Sequence, residues 1–251
     1  MPRRHQIGSL LALALLSGCI TPKYGEEQQL SINNGTHPVW AVAPAINLSG
    51  ETGVDPILQA DLVFHQLGAV NNVNLIPVNQ VIAVYAALHI TKVESEEQAQ
   101  IVCEQLGCDG LIIPTITVYD PYNPPKFGAS LQLLRRNAVD HPNNIDPREL
   151  TRAATPMAID PLPSHPNFIQ TVGMYDAANG SVRDALMRYA RGRYDPTGPM
   201  GANEYLLSMD RYCGFVYYTL VQQMIGRVTG QPVESAPVAQ TAQNSLTAQG
   251  G

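Results

Sequence analysis

Four cysteines are the most nucleophilic side chains in this chain of 251 residues, and their spacing limits what they can do. Cys19 ends the run Leu16-Ser17-Gly18-Cys19, directly behind an apolar N-terminal stretch. Cys103 and Cys108 stand five residues apart across an expected helix end, and Cys213 is remote from both. Three internal thiols cannot all pair with one another. No His or further Cys stands at zinc-ligand spacing from Cys103 or Cys108, so these read as buried small apolar side chains. The alternative is one disulfide, from Cys213 to either of the other two, in an oxidising compartment. His65 and His89 fall within expected helices, and His37, His141 and His165 each precede a proline; none is at metal spacing from another or from a carboxylate pair. Glu94, Glu96 and Glu97 suit a helix start, where the dipole favours negative charge. The chain contains no G-x-x-x-x-G-K-[ST], H-E-x-x-H, G-x-S-x-G or G-x-G-x-x-G. No catalytic residue, metal or cofactor is therefore expected.

The stretch before Cys19 gives that thiol a different meaning. Met1-Pro2-Arg3-Arg4-His5 is a short basic region, and residues 7–16 (IGSLLALALL) form an apolar segment too short to span a bilayer as a helix. It reads as a secretory signal. With Leu16-Ser17-Gly18-Cys19 behind it, the segment resembles the lipobox of bacterial lipoproteins. The resemblance implies that Cys19 is acylated on sulfur and becomes the mature N-terminus, with a third chain on its amine in diderm bacteria. Two or three chains hold far better than the marginal binding of one, at about 0.8 kcal/mol per buried methylene. Ile20, where Asp would favour the inner membrane, implies outer-membrane sorting, with inner membrane or cell surface the alternatives.

Composition excludes several other classes. There are 15 Lys+Arg against 21 Asp+Glu, a net charge of -6, and 45% hydrophobic residues that are dispersed rather than gathered into spans. A polytopic membrane protein is excluded, and so is whole-chain disorder. No basic cluster lies beyond the extreme N-terminus, so no nucleic-acid partner is expected. Removal of residues 1–18 takes Arg3 and Arg4 with it and leaves 13 basic against 21 acidic residues, a net charge of -8.

The expected organisation is a signal peptide at 1–18, a lipidated tether at 19–37, an α/β domain at 38–230 and a disordered tail at 231–251. Residues 39–46 form an apolar run expected as a buried strand. Asp55-Pro56 supplies an N-cap and N1 proline for a helix with Leu58, Leu62, Val63 and Leu67 on one face. After a short strand at 75–78, Asn79 is expected to cap a helix bearing Ile82, Tyr85 and Leu88. Ser95-Glu96-Glu97-Gln98 is a capping box for a helix bearing Ile101, Val102 and Leu106, ended by Gly107. Residues 110–120 read as a buried strand, although Pro114 counts against a central ladder position. Residues 127–134 alternate as an antiparallel partner covered on one face. Residues 138–167 are a proline-punctuated excursion, long enough to suggest a functional loop. A strand at 169–175 follows, then a helix opened by Ser181, and one long helix from about Asn203 to Arg227. Asp210 projects onto the apolar face of that last helix, so either the helix overhangs the core there or Asp210 is in a buried polar pair, with Arg183, Arg191, Arg193 and nearby tyrosines as candidate donors. Tyr212 and Tyr218 on the same helix are the candidate partner surface. The order of elements specifies an α/β fold: a mixed-sheet sandwich with flanking helices and a long C-terminal helix.

The segments WAVAPAINLSGE (40–51) and LGCDGLIIPTITVYDPYNPPKFGASLQLL (106–134) resemble a family of bacterial envelope domains. It is the domain shared by the amino-terminal part of TolB, the curli-export lipoprotein CsgG and the penicillin-binding-protein activator LpoB. The match covers about a third of the chain, mostly at fold-determining positions. It implies an α/β domain that binds other envelope components without a catalytic centre, although fold does not fix function. A subunit of an oligomeric export complex is the alternative; a pore would need membrane-crossing strands of about ten alternating residues, which the proline-rich excursion cannot supply. A secreted hydrolase would need Asp120, His141 and His165 to converge.

Overall fold

The computed structural model describes residues 30–32, 35, 37–136, 168–194 and 197–230. Cys19, most of the tether, the excursion at 138–167 with His141 and His165, and the tail from 231 lie outside the described residues.

Strand β1 (Val39–Val42) alternates Trp40 and Val42 to one side of a sheet with Ala41 to the other, and Ala43 continues that alternation just past its end. After a break at Pro44 the chain resumes as β2 (Ile46–Asn47). Asp55 then caps α1 (Pro56–Gly68), accepting the Ile57 and Leu58 N–H groups at 2.8 and 3.2 Å, with Pro56 at the first position. The buried face of α1 is Gln59, Ala60, Val63 and Leu67, while Leu58 is exposed and Leu62 half-buried. The face is turned from the expected one because Gln59 has a partner in the core.

Strand β3 (Asn74–Ile76) leads into α2 (Val78–Ala87), which starts behind Pro77 with no side-chain cap, not at Asn79. It buries Val81 and Tyr85, and His89 lies just beyond it at φ +54°. Helix α3 (Glu96–Leu106) has the expected capping box: the Gln98 N–H donates to Ser95 Oγ at 3.3 Å, and Gln98 Oε1 accepts the Glu94 N–H at 2.8 Å. It buries Ala99, Val102 and Cys103 and leaves Ile101 exposed. Gly107, at φ +67°, ends it in a Schellman turn, with the Cys108 N–H donating to the Cys103 carbonyl at 3.0 Å.

Three long strands follow: β4 (Gly110–Asp120), β5 (Lys126–Arg135) and β6 (Phe168–Asp176). The sheet order is β3-β1-β4-β5-β6, with β2 continuing beside β4. The β3, β1 and β4 pairings are parallel and those of β4–β5–β6 antiparallel, so the fold is α/β with a mixed sheet. Pro114 does sit in central β4, and the register explains why. Ala43 donates to Ile112 O and Leu48 to Ile116 O, so by alternation the missing N–H of Pro114 faces the gap between β1 and β2. Gly128 opposes a bulge in β4; a Cβ there would come 2.9 Å from Thr117 Oγ1 and 3.1 Å from Val118 Cβ.

Strand β5 is interior to the sheet and buried on both faces from Phe127 to Leu134, not on one. Its other neighbour β6 pairs Leu134 with Phe168 and Lys126 with Asp176. Helix α4 (Gly180–Ala190) is capped by Asn179, one turn position ahead of the expected Ser181. The expected long C-terminal helix is interrupted: a 3-10 turn (Gly201–Asn203) and α5 (Glu204–Leu207) precede an extended Ser208, which caps α6 (Met209–Thr229). A serine hydroxyl satisfies a helix N-terminus better than it serves a helix interior.

Helices α1, α4, α5 and α6 cover one face of the sheet, and α2 and α3 the other. Asp109 closes the junction between α3 and β4. Its Oδ2 accepts the Val39 N–H at 2.9 Å, its Oδ1 lies 3.4 Å from Arg136 Nη2, and its carbonyl accepts the Arg136 N–H at 2.9 Å. One carboxylate thus fastens the start of β1 to the end of β5. Its side chain is partly exposed, so the ion pair adds little. Asp109→Ala should cost about 1–2 kcal/mol, mainly the orphaned Val39 N–H, read as a lower urea midpoint at unchanged slope.

Candidate functional site

The described residues bring chemistry together at two places: around α6 and at the end of α3.

Helix α6 is buried on nearly every side through Tyr212, Cys213, Phe215, Val216, Tyr217, Leu220 and Val221. The Tyr217 hydroxyl donates to Gln59 Oε1 at 3.0 Å, and the Tyr217 ring meets Phe127 edge-on at 5.4 Å. Cys213 lies against the same glutamine. Burial first, and then the charge of Asp210, push the Cys213 thiol up, so it is held neutral and unreactive. Burial pushes the Tyr119 hydroxyl up to about 12.

Asp210 itself is exposed in the first turn of α6, where the helix dipole favours it. Of the two expected arrangements the buried pair is thereby corrected: the helix reaches the core only after Asp210. Its candidate donors are engaged elsewhere or in solvent. Arg183 donates to the Ala177 carbonyl at 3.1 Å, Arg191 is exposed, and Arg193 lies 4.2 Å above the Tyr189 ring and 5.2 Å from that of Tyr218. Tyr212 is wholly buried and offers no surface, a second correction; it packs against Phe215 inside the sandwich. Tyr218 is half-buried beneath Arg193 and accepts Gln222 Nε2 at 2.7 Å.

The Tyr189 ring joins two tyrosines, lying 4.9 Å from the Tyr218 ring and 5.8 Å from the Tyr205 ring, with Arg193 over Tyr189 and the exposed Arg211 5.4 Å from Tyr205 and paired with Glu204 at 2.8 Å. Arginine stacked on tyrosine is a combination enriched at interface centres. Sequence reasoning missed Arg211 and Glu204. Their signal was the spacing from the break at Ser208, itself hard to see.

At the end of α3 the Sγ atoms of Cys103 and Cys108 lie 3.0 Å apart, both buried. Both belong to the core on the α2/α3 face, whereas Cys213 belongs to the core on the opposite face. The sheet therefore separates Cys213 from the other two, which overturns the expected alternative of a bridge from Cys213.

Asp120, named for a hydrolase, ends β4 with Oδ1 accepting the Tyr122 N–H at 3.1 Å, a turn-forming role. Among the described residues no group of three or more His, Cys, Asp or Glu could hold a metal ion, and no helix is long and apolar enough to cross a membrane.

No family model and no curated protein matches the chain. Solved structures do. The LpoB C-terminal domain of Salmonella enterica is 11% identical at a TM-score of 0.35, covering 45% of this chain and 83% of that one. The lipoprotein GNA1162 of Neisseria meningitidis is 13% identical at 0.36, covering 65% and 88%. The hypothetical protein CT253 of Chlamydia trachomatis is 12% identical at 0.41, covering 78% and 100%. At these scores the likeness establishes neither a fold nor a role for this chain.

Proposed function

We propose that the chain is a lipid-anchored, non-enzymatic lipoprotein of the bacterial cell envelope. In this reading residues 1–18 are removed, acyl chains on Cys19 hold residues 19–37 as a tether at the periplasmic face of the outer membrane, and the α/β domain binds or assists assembly of other envelope components. The observation that carries it is Leu16-Ser17-Gly18-Cys19 behind a basic start and a ten-residue apolar segment. The cluster of Arg193 and Arg211 over Tyr189, Tyr205 and Tyr218 supports a protein partner, and the neutral, buried Cys213 supports a structural rather than a catalytic thiol.

Metabolic labelling with an acyl-chain analogue tests the anchor: the wild type should be labelled and Cys19→Ala unlabelled, and equal labelling of the two defeats it. Crosslinked recovery of the intact protein from its own envelope tests the partner. A reproducible partner should be recovered, and Arg211→Ala with Tyr218→Ala should reduce its yield by about tenfold or more, as loss of two central contacts would. Unchanged recovery from the double variant removes this surface from the proposal.

A further inference from the structure

We propose that Cys103 and Cys108 form a disulfide that staples the last turn of α3 to the start of β4. The Schellman turn at Gly107 brings the two residues together: in this motif the third residue from the helix end and the second residue beyond it touch, normally through apolar side chains. Here both positions are cysteine, and their sulfurs are 3.0 Å apart, about 1 Å beyond a covalent S–S bond. Gly107 at φ +67° and the Cys108-to-Cys103 backbone bond hold that approach in place.

Either thiol can lead, and the steps are the same with the two exchanged; with Cys108 leading, it loses its proton first. Its thiolate attacks one sulfur of an oxidant disulfide, of a protein or a small thiol such as glutathione, and displaces a thiolate that takes up the proton Cys108 lost. Cys103 then gives up its proton and attacks the Cys108 sulfur of the mixed disulfide. The bond from Cys108 to the oxidant breaks, and the second leaving thiolate takes that proton. Two protein thiols have become one disulfide, and one disulfide has been reduced to two thiols.

Only four residues separate the pair, so the bond can form on the folding chain before α3 docks. In the folded chain both sulfurs are buried, which shields the finished bond from reductants. The inference is independent of the anchor and of the partner surface.

The test is peptide mapping of the full chain, reduced in denaturant and refolded in the presence of oxidised glutathione, then acid-quenched and alkylated in denaturant. Cleavage after Lys and Arg places both cysteines in peptide 93–126 and Cys213 in peptide 212–227. Peptide 93–126 should carry no alkyl group and be lighter by two hydrogens, with one alkyl group on peptide 212–227. A doubly alkylated 93–126, glutathione on both of its cysteines, or a link between the two peptides overturns the proposal. The wild-type map needs no variant to fold.

Discussion

Full-length protein carrying Cys19→Ala should leave the membrane: in flotation of whole envelopes the wild type should rise with lipid, and the variant should stay in the dense soluble fraction. The size of the effect follows from chain number. One acyl chain binds a bilayer with about 10⁴ M⁻¹, and a second adds about 0.8 kcal/mol for each further buried methylene, so a cysteine carrying two or three chains is held essentially permanently. None of the helices among the described residues is long and apolar enough to cross a membrane. A net charge of -8 after processing would repel the chain from anionic lipid. A Cys19→Ala protein that still floats would show that another segment holds the membrane, and the lipobox reading would fall with it.

Tyr217→Ala is expected to destabilise the fold by about 3–5 kcal/mol. The ring is fully buried, meets Phe127 edge-on at 5.4 Å and carries the hydroxyl that satisfies Gln59 of α1. The two parts separate by substitution. Tyr217→Phe keeps the packing but leaves Gln59 Oε1 buried without its donor, at a cost of about 1–3 kcal/mol. Adding Gln59→Leu should recover part of that loss, because two apolar partners leave nothing unsatisfied. Urea unfolding of the four proteins measures the cycle; a neutral Tyr217→Phe would show that the bond between α1 and α6 contributes nothing.

That bond also marks where the sequence stops being readable. Local signals were legible: Asp55-Pro56 at α1, the Ser95/Gln98 box at α3 and Gly107 at its end act within a turn of themselves, and the structure contains all three. Faces set by distant partners were not. Gln59 reads as polar and solvent-facing until Tyr217, 158 residues away, supplies a donor. Ser130 and Gln132 made β5 look covered on one face only, yet both are buried between neighbouring strands and layers. Pro114 argued against a central strand because the gap between β1 and β2 that accommodates it is a tertiary feature. At the candidate surface, Tyr218 kept a partly accessible position and Tyr212 did not, since both lie on a helix apolar around most of its circumference, where projection cannot choose a face. The meeting of Cys103 with Cys108 was within reach: a glycine at the helix end with cysteine four before it and one after is the Schellman contact pattern.

The pairing of Leu134 with Phe168 bears on the length of chain the fold can carry between β5 and β6. The chain leaves β5 and re-enters β6 at neighbouring points of one hairpin, so everything inserted between them is anchored at both ends by the same ladder. Closing a loop there becomes only about 0.6 kcal/mol harder for each doubling of its length. The hairpin thus works as an insertion port. A segment of almost any length can therefore join β5 to β6 while the ladder and the two cores keep the same contacts.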